Sequence, residues 1–303
     1  MKSHLQILPL LTLLSLPPLP VDAAVQVVAS TSLVGDIVRQ IGGDRIELTV
    51  LAAAGVDPHG FDPTPQDAKR LHDAGVIFLN GAGLEAGLDR LISAADAKDK
   101  VCVVSEGIAL LDADGDCCAA GHDHGHGEPH DPHVWFDPLR VKTWGTNIAE
   151  RLGTLDPAGR DRYTAARAEL DASLDELDAW IRSQVALIPQ DRRQIAIDHQ
   201  VLGYFVSRYG FAKPITLNEG FSSTTQPDVR AITEIIRAIR KSGAHALFVG
   251  VTVNDELARQ VAAETRVPVV RLHTCTLGGP GSGAETYQQF MRTNVKAIAG
   301  ALQ

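Results

Sequence analysis

Eight short runs rich in valine, isoleucine and leucine, set in two groups of four, constrain what this 303-residue chain can fold into. The first group is Val25 to Ala29, Leu48 to Leu51, Val76 to Leu79 and Val101 to Val104. The second is Ile195 to Ile197, Pro214 to Leu217, Ala246 to Val249 and Val267 to Leu272. Helical stretches such as Leu33 to Ile41 and Gln66 to Ala74 separate the runs, and strands that alternate with helices predict a mainly parallel sheet flanked by helices. Two α/β lobes are the economical reading. Between the groups, residues 156–188 hold no glycine beyond Gly159 and no proline between that residue and Pro189. Leu170, Leu174, Leu177 and Ile181 follow the i, i+4, i+7, i+11 spacing of one helix face. That pattern predicts a helix of roughly 45 Å, long enough to tie the lobes together rigidly.

The expected organisation is therefore a leader over residues 1–23, a first lobe over 24–155, a linking helix over 156–188 and a second lobe over 189–303. The leader reading rests on Lys2, a leucine-rich run from Leu5 to Leu19 and small residues at Ala23 and Ala24. Pro9, Pro17, Pro18 and Pro20 break that run, which is too short for a membrane span and fits a signal peptide cleaved after Ala23. No cysteine follows it, so no lipid anchor is expected there, and the destination is an oxidising, extracytoplasmic compartment, the periplasm. The formal charge is −9, and it is unchanged without the leader because Lys2 and Asp22 cancel. An acidic surface argues against nucleic acid and anionic membranes as partners and is compatible with cations.

Of the eleven histidines, five fall between His122 and His133. Imidazole is the commonest protein ligand for zinc-like metals, so so dense a cluster among Asp, Glu and Gly points to metal handling. His122, His124, His126 and His130 sit among glycines and acids in a loop over about residues 112–132 that cannot pack a core, which suggests an accessory collecting site of low affinity. His133 instead opens D-P-H-V-W-F-D-P, whose Val134, Trp135 and Phe136 look buried. The same grammar occurs in D-P-H-G-F-D-P-T-P from Asp57 to Pro65, so His59 and His133 each follow Asp-Pro and precede an aromatic residue and a further Asp-Pro. Prolines restrict both loops, and a nearby carboxylate can orient the second nitrogen of a ligating ring. His199 follows the strand-like run ending at Ile197, and strand ends of open parallel sheets are where such folds place ligands.

Taken together, these contexts resemble the zinc/manganese-type periplasmic solute-binding proteins of ABC metal importers, in particular the zinc-binding subgroup with a His-rich loop. The likeness runs from about Val25 to Leu302. It includes G-A-G-L-E at Gly81 to Glu85, the D-H-Q-V-L-G-Y-F-V-S-R-Y-G run, and E-T-Y-Q-Q-F-M-R-T-N-V near the C-terminus. The resemblance implies two α/β lobes joined by a backbone helix, one metal held between them by three histidines and a carboxylate, and a monomer. The expected partners are the membrane permease of an ABC importer and a zinc chaperone. His59, His133 and His199 fall on the histidine positions. The carboxylate position is taken by Cys275, with His273 the alternative if the strand register differs. A thiolate favours Zn²⁺ over Mn²⁺, which prefers oxygen ligands. Gly250 stands where such proteins often carry a glutamate, which leaves Glu85 and Glu219 as the acidic neighbours expected behind the ligands.

Four cysteines in an oxidising compartment suggest two disulfides, which would consume Cys275. If Cys275 is a ligand, Cys102 pairs with Cys117 or Cys118 and one thiol is left over. Two further functions compete with metal delivery. A zinc hydrolase would use three histidines and an open position to activate water, but the chain has no H-E-x-x-H motif, and a fourth charged ligand closes the site. A periplasmic zinc buffer or chaperone without a transporter shares every ligand.

Overall fold

The computed structural model describes residues 24–112, 130–218, 220, 221, 223 and 229–303. The first four apolar runs form β1 (Val25–Thr31), β2 (Ile46–Ala52), β3 (Val76–Leu79) and β4 (Val101–Val103), all parallel, in the order β2-β1-β3-β4. The second four form β5 (Ala196–Ile197), β6 (Ile215–Thr216), β7 (Leu247–Gly250) and β8 (Val269–Leu272), in the corresponding order β6-β5-β7-β8. Val27 pairs with Leu48 and Val76 in one sheet, as Ile197 pairs with Thr216 and Phe248 in the other. Each sheet thus reverses its winding beside its first strand, and such a switch point opens a crevice at the carboxyl ends of the strands.

Nine α-helices are present among the described residues: α1 (Ser32–Gly42), α2 (Pro65–Asp73), α3 (Asp89–Ala94), α4 (Pro138–Leu155), α5 (Arg160–Val185), α6 (Gly203–Tyr209), α7 (Val229–Ser242), α8 (Glu256–Thr265) and α9 (Tyr287–Leu302). None is long and apolar enough to cross a membrane. Side chains fix several starts. Thr31 caps α1 by accepting from the Val34 amide, a Thr64/Asp67 capping box opens α2, and a Thr286/Gln289 box opens α9. Each such cap satisfies amides that the first helical turn leaves unpaired.

The linking helix is shorter than its sequence pattern suggests. Asp156 ends α4, Pro157–Gly159 form a single 3-10 turn, and α5 itself covers 26 residues, about 39 Å. The cause is local: Pro157 has no amide to donate, and the Asp156 carboxylate accepts from the Gly159 amide instead. The expected apolar face is present, with Leu170, Leu174, Leu177 and Ile181 all buried. It packs against α4, α9 and α1, and Gly145 permits the close approach of α4, since a Cβ there would lie 3.0 Å from Leu170 Cδ2. One continuous core runs through α1, α4, α5 and α9 and the strands they cover, while separate clusters lie beneath α2 and α3 and beneath α7 and α8. The two sheets therefore share a common helical layer, which sets their strand ends on either side of one crevice.

Candidate metal centre

Four side chains meet in that crevice, each following the carboxyl end of a different strand: His59 after β2, His133 after β4, His199 after β5 and Cys275 after β8. One potential donor atom from each lies within 4.8 Å of all the others. His59 Nε2 is 3.1 Å from His133 Nε2, and Cys275 Sγ is 3.8 Å from His199 Nε2. A tetrahedral zinc ion with ordinary bond lengths sets its nitrogen ligands about 3.3 Å apart and nitrogen and sulfur about 3.6 Å apart. The observed spacings bracket those values. The three rings stand around a common centre, with centroids 5.2, 5.8 and 5.6 Å apart.

Local turns aim the rings. The Asp131 carboxylate accepts from the His133 amide at 2.9 Å and stands 2.7 Å from its Nδ1. Asp198 repeats the arrangement on His199, at 2.7 Å and 2.5 Å. A carboxylate at Nδ1 keeps the proton there and leaves the Nε2 lone pair facing the centre, as a metal requires. Asp198 is anchored in turn by the Gly250 amide at 2.6 Å. Asp57 accepts from the His59 amide at 3.0 Å and caps the short turn Pro58–Gly60. In the longer motif, Val134–Phe136 form a buried turn, and Asp137 with Pro138 starts α4. The first Asp-Pro of D-P-H-V-W-F-D-P aims a ligand; the second begins a helix.

The Cys275 segment is clasped by the first lobe although it leaves the second sheet. The Trp135 indole donates to the Thr274 carbonyl at 2.9 Å, Leu277 N donates to Ser32 Oγ at 3.0 Å, and Gly55 N donates to the Leu277 carbonyl at 3.1 Å. Asn294 on α9 fixes the approach by accepting from His273 N at 2.9 Å and donating to its carbonyl at 2.6 Å.

Burial governs the charge state. His133 and His199 are 0% exposed and Cys275 is 1% exposed, whereas His59 is half-buried. Desolvation, then the neighbouring imidazoles, pushes His59 down to about 3 and holds His133 well below its ordinary range. Both are therefore neutral, ligand-ready imidazoles at neutral pH. Burial, reinforced by the negative charge of Asp57, lifts the Cys275 thiol well above its usual value. Burial also pushes Asp131 up to about 8, against the hydrogen bond from the His133 amide. A dication at the centre offsets these penalties, since it favours the thiolate and the carboxylates around it.

The other expected residues fall elsewhere. Glu85 is half-buried and accepts from Ser30 Oγ and Asn80 N, each at 2.7 Å, and from Gly81 N at 3.0 Å, so its oxygens pin the ends of β1 and β3. It shares a small cavity of about 60 Å³ with His59. Glu219 lies outside the described residues, as do His122, His124 and His126, so of the accessory histidines only His130 is described. That residue's Nδ1 is buried with no hydrogen-bond partner among the described residues. Cys102 and Cys275 both carry free thiols, so the disulfide expected from Cys102 is not formed at its end; Cys117 and Cys118 lie outside the described residues. His273 is not among the four convergent residues. Gly250 supplies its amide, and a Cβ there would lie 2.6 Å from Thr274 Oγ1, which leaves no room for a glutamate. The acids that do contact the histidine rings, Asp131 and Asp198, were legible only as neighbours of the ligands in D-P-H and D-H.

A sequence model of the family described as zinc-uptake complex component A, periplasmic (ZnuA), matches residues 27–301. This chain belongs to the ZnuA family. The family comprises solute-binding proteins of ABC metal transporters and not enzymes, so this chain is an extracytoplasmic metal-binding component of that kind. The manganese-binding lipoprotein MntA of Halalkalibacterium halodurans is 31% identical over 280 residues, covering 91% of this chain and 88% of MntA. The manganese ABC transporter substrate-binding lipoprotein PsaA of Streptococcus pneumoniae is 27% identical over 285 residues, covering 91% and 89%. Among solved structures, the periplasmic zinc-binding protein TroA of Treponema pallidum matches with a TM-score of 0.82 at 25% identity, over 92% of this chain and 99% of TroA.

Proposed function

We propose that His59, His133, His199 and Cys275 capture Zn²⁺ as cargo between the lobes in the periplasm, and that the protein delivers it to the membrane permease of an ABC importer. The observation that carries this reading is the convergence of three imidazoles and a thiol within 4.8 Å. Relatives named for manganese frame the choice of metal. Manganese favours oxygen donors, and a sulfur in a tetrahedral set with three nitrogens favours zinc. Four protein ligands leave no open position for a reacting water, which suits capture rather than hydrolysis.

Native mass spectrometry with metal analysis on wild type and Cys275→Ser tests the assignment. One tightly held zinc in the wild type, weakened in the variant, is expected. Equal retention in both would remove Cys275 from the ligand set, and preferential retention of manganese by the wild type would overturn the choice of metal. Impaired growth of a deletion strain under zinc limitation separates delivery from a buffering role.

A further inference from the structure

The two D-P-H motifs use their aspartates differently. Asp131 directs one oxygen to both the amide and the ring of His133. Asp57 gives Oδ1 to the His59 amide only, and no hydrogen bond joins it to the His59 ring among the described residues. Its Oδ2 crosses the cleft, where Ser223 Oγ donates at 2.7 Å and Thr252 Oγ1 donates at 3.1 Å. Ser223 follows β6 and Thr252 follows β7, so a single carboxylate ties the His59 turn to the ends of two strands of the opposite sheet. His59 is also the one half-buried ligand of the four, and the residues leading to it, Ala53 to Val56, are exposed. With the other three donors at 0–1% exposure, the way out of the site passes His59.

We propose that Asp57, Ser223 and Thr252 form a latch across the cleft that holds the His59 turn over a bound metal ion and sets how fast the ion leaves. The inference rests on the metal-capture reading above. Its physical basis is that both hydroxyls belong to the opposite lobe, so these charge-assisted bonds exist only while the lobes are together. Among the described residues the His59 ring has no carboxylate grip of the kind that fixes His133 and His199, and cross-lobe bonds to Asp57, two residues before it, supply that restraint instead. Asp57 is a positioning residue that acts through His59. Removing the hydroxyls leaves all four donors in place, so dissociation changes while capture does not.

The test loads the full chain with one equivalent of Zn²⁺ and follows release to excess chelator by stopped flow. Three proteins are compared: wild type, the hydroxyl-free pair Ser223→Ala with Thr252→Val, and the hydroxyl-retaining pair Ser223→Thr with Thr252→Ser. The hydroxyl-free pair is expected to release zinc about tenfold faster with an association rate within about twofold of wild type, and the hydroxyl-retaining pair to release at the wild-type rate. An unchanged release rate in the hydroxyl-free pair would overturn the latch. So would equal acceleration in both pairs, which would trace the effect to packing. A wild-type chain that takes up no zinc before chelator is added would overturn the metal reading, and the latch with it.

Discussion

A thiol in place of a carboxylate changes how this site answers to pH. Burial holds His59 and His133 unprotonated and holds both Cys275 and Asp131 protonated at neutral pH, so the protons displaced by an arriving metal come from the thiol and from Asp131. Metal affinity should therefore fall as pH falls, by at least about tenfold per unit, with more than one and up to about two protons released per ion near neutral pH. Calorimetry in two buffers of different ionisation enthalpy counts the protons released. Cys275→Asp should remove the thiol's share of the release and move preference toward Mn²⁺, since the softer donor is lost. The carboxylates behind the rings predict a separate effect. Asp198→Asn should weaken zinc binding by about 10- to 100-fold in a chelator competition, because the tautomer and aim of His199 are no longer fixed. Glu85→Gln provides the contrast: its bonds hold β1 and β3, so it should lower the melting temperature with no comparable loss of affinity.

Helix α5 joins the halves through packing and through one buried ion. Asp178 accepts from Arg208 Nε at 2.7 Å, Tyr209 OH at 2.9 Å and Arg182 Nε at 3.0 Å, while Arg208 also reaches Asp137 at the start of α4. Burial raises the Asp178 pKa, but the hydrogen bonds from Arg208, Tyr209 and Arg182 outweigh it and bring the group down to about 2, from 3.8. A depressed carboxylate pKa stabilises the fold above the unfolded value and loses that contribution as pH falls through the folded one. Wild type should thus lose stability between about pH 4 and pH 2, and Asp178→Asn, already weaker by about 3 kcal/mol at neutral pH, should show a flatter acid profile in denaturant titrations. Much at this scale was legible in the sequence. Buried parallel strands read as unbroken apolar runs, and Val76 to Leu79 matches β3 residue for residue; the Leu170–Ile181 stripe matches the buried face of α5. Helix α4 left a weaker trace, because Gly145 and Gly153 interrupt its pattern where α5 and Arg160 come close. The four convergent residues could be named from their motifs, but the second oxygen of Asp57 could not, since its partners lie 166 and 195 residues away.

For the molecule as a whole, the cargo is a cross-link between two sheets. Metal that binds only the folded form should stabilise it by about 4 kcal/mol at a free concentration a thousand times the dissociation constant. A rise in melting temperature with zinc, lost in His199→Ala, would register that linkage. The fold also orders events in time through its last element. Helix α9 seats the approach to Cys275 through Asn294, and its Tyr287 hydroxyl donates to the Trp135 carbonyl at 2.6 Å, beside His133 in the chain. The four donors therefore lack a finished frame until the final sixteen-residue helix has docked. On the proposed reading, cargo is taken up only after that helix has docked, so a bound metal ion marks a chain whose folding is complete.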